Sequence, residues 1–429
     1  MQSLFNSVIS ILSKNKIPYA IVGRTELYPN QIDSDVDIMI DVHSIDIFHQ
    51  AIWNIESKDT KVIQMIQHEV VAFYYVIYKV AEGTCICIKP DVCTDYYRKG
   101  RKLLSSAVLL KTVCMAPQGG FYVLAPEKEF IYYLLKKIDK RSLSTEQFNH
   151  IYNSYIASPE KAMEEARAFW GEGNMNILNK AFAEKDYEYL NANLKILQEG
   201  IHKAKKMSLG DKCRNYALKV KRICQPTGLN IAIMGPDGSG KTTVIEQLKK
   251  DMGEAFRRIQ YFHLYPKPEI HSIVRTDPHN QKVRSLILSV MKLLYFVILY
   301  NVGYLSYVLP MKIKSTMTIF DRYFDDILVD PIRYRNGAPD WIVKFIRYFI
   351  PQPDLWIILD APTDVIQKRK AEVSAEETER QRQGYINLAN TKRNAILVNT
   401  DRDIKLISSD ISKFMCEYLN KRAIKRYKP

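Results

Sequence analysis

The spacing of apolar residues changes along the chain and predicts three segments. In the first segment, helical spacing near the N-terminus is followed by short apolar runs of strand length and by two runs typical of a hairpin pair. The predicted helix covers residues 3–14, the predicted strands 19–22 and 36–40, and the hairpin pair 70–79 and 85–88. This mixture of helix and strand signals favours an α+β arrangement.

The second segment is rich in Glu, Lys, Leu and Ala, is poor in glycine, and has helical apolar spacing. We predict several amphipathic helices there, for example over residues 127–138 and 186–204. The third segment starts at a breaker cluster, Pro226-Thr227-Gly228. Strand-length apolar runs then alternate with helical spacing, which predicts a parallel-sheet α/β domain. These runs cover residues 231–234, 317–320 and 355–359.

The predicted fold class is therefore α/β, with three parts. An N-terminal α+β domain covers residues 1–122, a helical bridging region covers 123–225, and a C-terminal parallel-sheet domain covers 226–429. A length of 429 residues agrees with two to four domains, each able to bury its own core.

The formal net charge of +15 favours anionic partners such as nucleotides, phosphosugars, nucleic acid or an acidic membrane face. A merely soluble basic surface explains the charge equally well. The seven cysteines are odd in number and form no C-x-x-C pair, which favours a reducing cytoplasm. Cys85 and Cys87 alternate on one face of an apparent strand, which suits buried thiols better than metal ligands. The N-terminus lacks a charged start followed by an apolar block, so we expect no signal peptide.

Residues 286–311 are nearly all apolar. Lys292, Asn301 and four tyrosines interrupt the run, which argues against a clean membrane span. We therefore expect a buried helix pair within the C-terminal domain and no transmembrane segment. Peripheral contact with a membrane stays open.

The most specific motif is G-P-D-G-S-G-K-T-T, which lies between an apolar run and a stretch of helical spacing. Glycines in such a loop adopt positive φ and bring N–H groups close to phosphate oxygens, at a helix N-terminus that favours anions. Lys241 can reach the β/γ-phosphates of a nucleotide, and the hydroxyl of Thr242 can ligate Mg²⁺. We expect this loop to bind a nucleoside triphosphate. The candidate binding residues are Gly235, Asp237, Gly238, Ser239, Gly240, Lys241, Thr242 and Thr243.

A second landmark is Asp321-Arg322-Tyr323, which follows the predicted strand 317–320. An acid at the carboxyl end of a parallel strand lies at the mouth where ligands bind. Asp321 can therefore organise Mg²⁺ beside Thr242, and Arg322 can neutralise a phosphate.

A third landmark is the basic segment over residues 367–385, which follows the predicted strand 355–359. A mobile basic segment at this place can close over the reacting phosphates and exclude water. A solvated helix with Glu–Arg pairs one turn apart is the alternative interpretation. Beside the other two motifs, the closing segment is favoured.

Together, G-x-D-G-x-G-K-T-T, D-R-Y and the series strand, Ala-Pro, basic segment, R-Q-x-Y resemble the thymidylate kinase family over about residues 228–420. The resemblance implies a P-loop kinase fold, with ATP as the phosphoryl donor and Mg²⁺ as the metal. It also implies that Asp237 helps to bind the acceptor sugar and that Arg322 contacts the acceptor phosphate.

Ser239 replaces the loop arginine that some members of this family carry. The resemblance therefore implies that a cation of the basic segment, Arg380 or Arg382, supplies that charge. Residues 285–311 and 325–335 depart from the acceptor pocket expected for dTMP. A nucleotide, a nucleoside and a phosphorylated sugar all stay open as the acceptor.

In the first segment, a strand, a glycine and an S-D-x-D motif follow one another. Residues two apart in a strand face the same side, so Asp35 and Asp37 place two carboxylates together. Like charges at this spacing favour a divalent cation between them, and Asp91 can bring a third carboxylate from a neighbouring strand. Two metals held in this way would assist nucleotidyl transfer. The simpler alternative is that these acids lie at a surface strand end and have no function.

This pattern, with Gly23 after the predicted strand, resembles the nucleotidyltransferase superfamily that includes polymerase beta, over about residues 1–110. Arg24 stands where that superfamily usually has Gly or Ser, in the turn that cradles a triphosphate. A domain of different specificity is therefore compatible with the sequence.

The sequence predicts an enzyme that uses ATP and Mg²⁺ to phosphorylate a dTMP-like nucleotide or a related small phosphorylated acceptor, with nucleotidyl transfer as a second activity. The alternative is a nucleotidyltransferase that acts on a nucleic acid or a sugar phosphate, with the P-loop domain as an ATP-driven switch. No basic motif with interleaved aromatic residues supports nucleic acid as a partner. A cytoplasmic location and a homodimer agree with these expectations.

Overall fold

The structure, a computed structural model, describes residues 1–32, 35–81, 83–98, 100–205, 208–266 and 282–427. Asp33 and Ser34 of the S-D-x-D motif lie outside these ranges. The chain forms two compact units. The first unit comprises residues 1–78, 87–221 and 420–429, and the second comprises residues 79–86 and 222–419. The first unit thus holds most of the predicted N-terminal domain, nearly all of the predicted helical region and the last ten residues of the predicted C-terminal domain, whereas residues 79–86 belong to the second unit.

The N-terminal strands form a mixed sheet. In chain order they are β1 (Tyr19–Ile21), β2 (Val36–Ile40), β3 (Thr60–Glu69), β4 (Ala72–Ala81), β5 (Thr84–Ile88), β6 (Pro90–Cys93), β7 (Tyr96–Arg98), β8 (Arg101–Leu104), β9 (Val113–Met115) and β10 (Tyr122–Leu124). The sheet order is β3-β4-β6-β2-β1-β10-β9, with β5 paired to β4 and with β7 and β8 as a separate hairpin. The predicted pairing of the two hairpin runs is confirmed.

The strand pairing at the centre of this sheet decides where its acidic residues lie. β1 and β2 are antiparallel, whereas β2 and β6 are parallel, with Asp37 opposite Asp91. The short strands β1 and β2 are almost entirely buried, as expected for continuous apolar runs at the centre of a sheet. Asp37 and Asp91 therefore lie on neighbouring strands and are half-buried.

Helices pack around and beyond this sheet. They are α1 (Gln2–Lys14), α2 (Ile45–Ala51), α3 (Ser106–Leu109), α4 (Pro126–Lys140), α5 (Thr145–Ala157), α6 (Pro159–Arg167), α7 (Glu172–Ala183), α8 (Tyr187–Ala192), α9 (Leu194–Ala204) and α10 (Leu209–Cys224). α4 begins with Pro126, whose fixed φ suits a first helical position, and Phe130, Leu134 and Ile138 of α4 are fully buried in the core. This helix therefore connects the sheet to the helical region.

The single helix predicted over residues 186–204 is wrong, because the structure has two helices there. α8 starts at Asp186, whose side chain accepts a hydrogen bond from the backbone N–H of Tyr189. At the junction, the side chain of Asn193 donates to the carbonyl oxygen of Tyr189 at 2.8 Å. Side-chain bonds of this kind compete with the helical ladder and explain the break.

The second unit is built on a parallel sheet, as predicted. Its strands are β11 (Leu229–Met234), β12 (Arg258–His263), β13 (Thr316–Asp321), β14 (Leu355–Asp360) and β15 (Ala395–Asn399). The order is β12-β13-β11-β14-β15, and all neighbouring pairs are parallel. β11 thus lies between β13 and β14, where the chain changes direction across the sheet. Crevices at such switch points bind ligands at the carboxyl ends of the strands.

Helices complete the second unit. They are α11 (Lys241–Met252), α12 (Leu286–Gly303), α13 (Leu309–Ile313), α14 (Asp326–Val329), α15 (Asp340–Arg347), α16 (Thr363–Arg369), α17 (Ala375–Thr391) and α18 (Ile404–Tyr427). A short π-helical turn, Tyr304–Val308, joins α12 to α13. The fold class predicted from the sequence, α/β with a parallel C-terminal sheet, is confirmed.

The buried helix pair predicted over residues 285–311 is wrong. The segment forms one helical run, Leu286–Ile313, and only 28% of its most apolar window is buried. It is the one helix in the described part of the chain that is long and apolar enough to cross a membrane, by length and composition. Its outward face is a stripe of exposed apolar and aromatic residues. The stripe consists of Ile287, Met291, Leu294, Tyr295, Ile298, Val302 and Leu305.

Candidate functional site

The glycine loop connects β11 to α11 and has three glycines at positive φ. Gly235, Gly238 and Gly240 have φ values of 151°, 83° and 84°. A Cβ atom at Gly235 would lie 2.4 Å from the carbonyl oxygen of Leu359, and one at Gly238 would lie 2.9 Å from that of Ile366. The loop therefore approaches β14 and α16 so closely that only glycine fits at these two positions.

Lys241 begins α11 and folds back over the loop. Its Nζ donates hydrogen bonds to the carbonyl oxygens of Gly235 at 2.9 Å and Pro236 at 2.8 Å, and lies 3.5 Å from the carboxylate of Asp237. Burial and the nearby charge of Arg322 lower the pKa of Lys241 to about 8. A phosphate would supply the negative charge that a buried ammonium group lacks.

Asp321 lies at the carboxyl end of β13, opposite Ile233 of β11. Its Oδ2 accepts a hydrogen bond from the hydroxyl of Tyr261 at 3.1 Å. Its Oδ1 is buried and has no hydrogen-bond partner among the described residues. An orphaned carboxylate oxygen is a group that Mg²⁺ or one of its waters satisfies, and Thr242 offers an exposed hydroxyl at the start of α11. These residues fit the metal that the resemblance implies.

Two further loop residues complete the predicted nucleotide site. Ser239 is fully buried, and its hydroxyl has no hydrogen-bond partner in the described ranges. Thr243 is exposed in the first turn of α11. Buried hydroxyl groups normally have a partner, so Ser239 is, like Asp321, a group that a ligand or water would satisfy.

Arg322 is buried directly after Asp321 and has φ of 71°, a left-handed conformation that is uncommon for a residue with a side chain. Its guanidinium donates to Asp326 at 2.9 Å, to the hydroxyl of Tyr385 at 3.2 Å, and to Asp237. Asp326 is fully buried and also accepts from the hydroxyls of Tyr334 and Tyr385. Burial opposes the ionisation of Asp326, but the charge of Arg322 and these hydroxyls lower its pKa.

The loop acid Asp237 receives two guanidinium groups. Arg322 and Arg333 both donate to its carboxylate, and Arg333 also bonds to Asp330 at 3.0 Å. Burial opposes the ionisation of Asp237, but a hydrogen bond with Glu372 and the charge of Arg322 hold its pKa well below the usual range. Two arginines therefore converge beside the phosphate loop, where they can pair with an anionic ligand.

The basic segment forms α16 and α17, and both of its predicted catalytic arginines have protein partners. Arg382 forms a bidentate pair with Asp360 at 2.8 and 3.0 Å, and it also bonds to Glu379. Arg380 bonds to Glu377 one turn earlier and to the carbonyl oxygen of Val329. These Glu–Arg pairs agree with the alternative interpretation of a salt-bridged helix. A role of either arginine in charge stabilisation stays a prediction.

Sequence reasoning did not select Arg333, Asp326 or Tyr334 as site residues. Arg333 and Tyr334 follow one another in the segment 325–335, where acids, arginines and aromatic residues are mixed. That mixture was the signal in the sequence for a buried charge network, because charged residues that are buried beside aromatic ones rarely lack a partner. Tyr385 was visible as the last residue of R-Q-x-Y.

In the first unit, Asp37 and Asp91 lie opposite each other on two parallel strands. Asp35 lies two residues before Asp37. Lys136 of α4 donates to Asp37 Oδ2 at 2.5 Å, and the hydroxyl of Tyr74 donates to Asp35 at 3.0 Å. No group of three or more His, Cys, Asp or Glu residues that could hold a metal ion occurs in the part of the chain described. The residues do not fit a metal in this arrangement, since the cation at Asp37 is the ammonium of Lys136. The three-carboxylate metal site stays a prediction.

A cleft of about 460 Å³ opens beside these acids. Its lining includes Lys136, Lys137 and Lys140 of α4, as well as Arg24, whose guanidinium pairs with Glu146 at 2.7 Å. Burial and repulsion by Lys136 lower the pKa of Lys137 to about 8 and lower that of Lys140. The sequence signal for this cluster was K-K-I-D-K at the end of α4. The predicted helix ended at residue 138, two residues before the observed end of α4.

The turn after β1 is closed by a carboxylate from α4. Gly23, with φ of 92°, donates its backbone N–H to Glu129 at 2.9 Å. The imidazole of His150 bridges Glu129 at 3.0 Å and Glu26 at 3.1 Å. Burial alone would lower the pKa of His150, but the hydrogen bonds to Glu129 and Glu26 outweigh it and raise the pKa to about 9. The N–H that would face a phosphate in this turn therefore bonds to Glu129.

The second unit has a glycine loop between a central parallel strand and a helix, with a lysine over the loop and an acid at the end of the adjacent strand. This combination defines a P-loop nucleotide-binding domain. The family model described as Thymidylate kinase matches residues 233–411. A probable thymidylate kinase of Saccharolobus solfataricus is 31% identical over 150 residues, which span 32% of this chain and 68% of that protein. The chain belongs to the thymidylate kinase family.

Two other similarities concern parts of the chain. A putative ABC transporter ATP-binding protein of Bacillus cereus is 27% identical over 143 residues, or 31% of this chain and 25% of that protein. The crystal structure of thymidylate kinase from Ehrlichia chaffeensis, at 17% identity, covers 44% of this chain and 98% of that one with a TM-score of 0.32. The family match covers residues 233–411, so the first unit lies entirely outside it.

The charged bridge at His150 predicts a pH-dependent stability. Because its pKa is raised from about 6.5 in an unfolded chain, His150 stabilises the fold fully below pH 6.5, and this contribution is lost as the pH rises through about 9. We expect His150→Gln to cost on the order of 2 kcal/mol at pH 6 and much less at pH 9.5 in urea unfolding. His43→Gln, at an exposed site of the same unit, is the control. An equal cost of His150→Gln at both pH values would contradict the charged bridge.

Proposed function

We propose that the second unit transfers the γ-phosphoryl group of ATP, with Mg²⁺, to a nucleoside monophosphate such as dTMP or to a related small phosphorylated acceptor. One observation carries the proposal: Lys241 lies over the phosphate loop while the buried Oδ1 of Asp321, at the end of the adjacent strand, has no donor among the residues that the structure describes. Family membership supports the same chemistry. A reaction that consumes ATP agrees with a cytoplasmic location, which we also propose.

On the donor side, backbone N–H groups of the loop and the start of α11 would bind the phosphates of ATP. Lys241 would exchange its bonds to the carbonyl oxygens of Gly235 and Pro236 for bonds to phosphate oxygens. Thr242 and Asp321 would hold Mg²⁺, which offsets negative charge on the transferred group. The loop supplies positioning and positive charge, the two contributions that phosphoryl transfer requires of a protein.

On the acceptor side, Arg322 and Arg333 converge on Asp237. Their guanidinium groups would bind the acceptor phosphate, and Asp237 would bind an acceptor hydroxyl. An acceptor oxygen then forms a bond to the γ-phosphorus while the bond to the β–γ bridging oxygen breaks and ADP leaves. The acids Asp326 and Asp330 are buried and hold Arg322 and Arg333 in place. The acceptor is open between dTMP and a phosphorylated sugar.

Lys241→Ala is expected to lower phosphoryl transfer on the order of 10²-fold or more, because the loop loses the ammonium that lies over it. The measurement is an acceptor screen with purified protein, ATP and Mg²⁺ that includes dTMP, other nucleoside monophosphates and sugar phosphates, scored by the mass of the products. Lys250→Ala, an exposed lysine of the same helix, is the matched control. Unchanged turnover in a folded Lys241→Ala protein would refute the kinase assignment.

Replacing Arg322 or Arg333 with lysine distinguishes an effect on acceptor binding from an effect on stability. Lysine keeps the charge but loses the guanidinium fork, so Arg333→Lys should lower kcat/KM for the acceptor roughly tenfold and leave the KM for ATP nearly unchanged. Arg322→Lys should cause the same kinetic loss and also lower the Tm, since Asp326 is fully buried beneath it. A rise in the KM for ATP in place of the acceptor effect would put these arginines on the donor side.

For the first unit we propose nucleotidyl transfer as a second candidate function. The observation that favours it is the register of Asp37 and Asp91 on parallel strands, with Asp35 two residues before Asp37. This function has one structural requirement: the ion pair between Lys136 and Asp37 must open before these acids can hold a metal. The kinase function of the second unit does not depend on it.

Asp35→Asn with Asp37→Asn in the full-length chain tests this second candidate. With a sugar phosphate or a nucleic-acid end supplied as the acceptor, we expect the unaltered protein to join an acceptor oxygen to the α-phosphorus of a nucleoside triphosphate and to release pyrophosphate, in the presence of Mg²⁺ or Mn²⁺. The double variant should lose this release while it keeps kinase turnover. Asp46→Asn, at an exposed acid of the same unit, should change neither activity. If the unaltered protein releases no pyrophosphate with any triphosphate, the first unit is not a nucleotidyltransferase.

A further inference from the structure

We propose that the cleft beside α4 in the first unit is a metal-independent binding site for a phosphorylated ligand, held by Lys137 and Lys140. The cleft has a volume of about 460 Å³, enough to hold a small ligand. All of its lining residues lie within the first unit, between residues 22 and 147. The site is therefore separate from the phosphate loop of the kinase.

The rim of the cleft has positive charge that the protein leaves without a counter-ion. Neither Lys137 nor Lys140 forms an ion pair with a carboxylate in the described ranges. The ammonium of Lys137 lies over the ring of Tyr133, 4.8 Å from its centroid, and Lys140 is exposed at the end of α4. Lys136 stands next to both. Three ammonium groups on one side of a helix repel one another, and an anion between them relieves that repulsion.

The acids on the floor of the cleft do not supply this anion, because they already have partners. Asp37 is paired with Lys136 at 2.5 Å and Asp35 accepts from Tyr74 at 3.0 Å. Asp91 lies 3.5 Å from the imidazole of His68, and Glu26 contacts His150 at 3.1 Å. The ammonium of Lys136 also provides the positive charge that neighbouring acids would otherwise take from a metal. Anion binding at the rim therefore requires no divalent cation.

The glycine turn does not compete for the phosphate. The N–H of Gly23 bonds to Glu129, and Arg24 beside it pairs with Glu146. An anion that enters the cleft would meet a carboxylate at this turn and ammonium groups on α4. Phosphate binding therefore falls to Lys137 and Lys140, which lie one helical turn apart, about 5–6 Å between their Cβ atoms.

A phosphorylated ligand fits this charge better than a carboxylate does. Two ammonium groups in addition to Lys136 call for more than one negative charge, and a phosphate monoester carries roughly 1.5 to 2 at neutral pH. Lysine binds phosphate as a point charge, so the site needs no planar fork. The inference stands apart from nucleotidyl transfer, which requires a metal at Asp37, and the two fail on different measurements.

Lysine footprinting of the full-length protein tests the proposal at the residues themselves. The rate of acetylation of Lys137 and Lys140 is followed by mass spectrometry in EDTA, with and without inorganic tripolyphosphate as the probe. We expect saturating tripolyphosphate to slow acetylation of both lysines at least tenfold, while the exposed Lys195 of α9 keeps its rate. Sulfate at the same ionic strength should protect neither lysine, because general screening does not build a site.

Variants then give the affinity. In Lys140→Gln, half-protection of Lys137 should require at least ten times more tripolyphosphate, whereas Lys203→Gln, at an exposed lysine of α9, should change nothing. Lys140 is exposed, so its replacement leaves the core intact. The proposal is overturned if tripolyphosphate in EDTA leaves the acetylation rates unchanged, if sulfate protects equally, or if protection appears only with Mg²⁺ and disappears in Asp37→Asn.

Discussion

The parallel pairing of β11 with β13 on one side and β14 on the other is the constraint on which the kinase site depends. Its register places Ile233 opposite Asp321, so the phosphate loop and the acid reach the same edge of the sheet. On the other side, Gly235 lies against the carbonyl oxygen of Leu359, where a Cβ atom would come within 2.4 Å. The shape of the loop is therefore set by the strands around it as much as by its own glycines. Any change in that register would separate Lys241 from Asp321.

Buried charges then tie distant parts of the chain into each site. Asp237 receives arginines 85 and 96 residues away, and Asp37 receives a lysine 99 residues away. A buried charge that loses its partner costs about 3–5 kcal/mol, so these pairs hold the elements in place. In the kinase unit, Arg322 and Arg333 could change from Asp237 to a ligand. In the first unit, Lys136 is paired with Asp37, whereas Lys137 and Lys140 of α4 are available to bind a ligand.

The helix α12 shows how the neighbourhood decides the meaning of an apolar run. Lys292 donates to the carbonyl oxygen of Tyr334 at 2.8 Å, and Asn301 donates to that of Phe349 at 2.8 Å. The polar residues that interrupt the run therefore anchor the helix to the rest of the unit, while its apolar outer stripe is exposed. Composition counts the two faces of a helix together, whereas burial depends on which face meets a neighbour.

The sequence by itself determined the features that depend on local chemistry: the phosphate loop with Lys241, the acid Asp321 after its strand, and the parallel α/β pattern. These follow from glycine geometry and from the period of apolar residues, which need no knowledge of distant contacts. Only the tertiary structure decided that Arg333 joins Asp237, that Glu129 closes the Gly23 turn, and that the lysines of α4 line a cleft. The reason is physical, because the partner of a buried charge is chosen by which elements fold together, and spacing along the chain does not encode that choice.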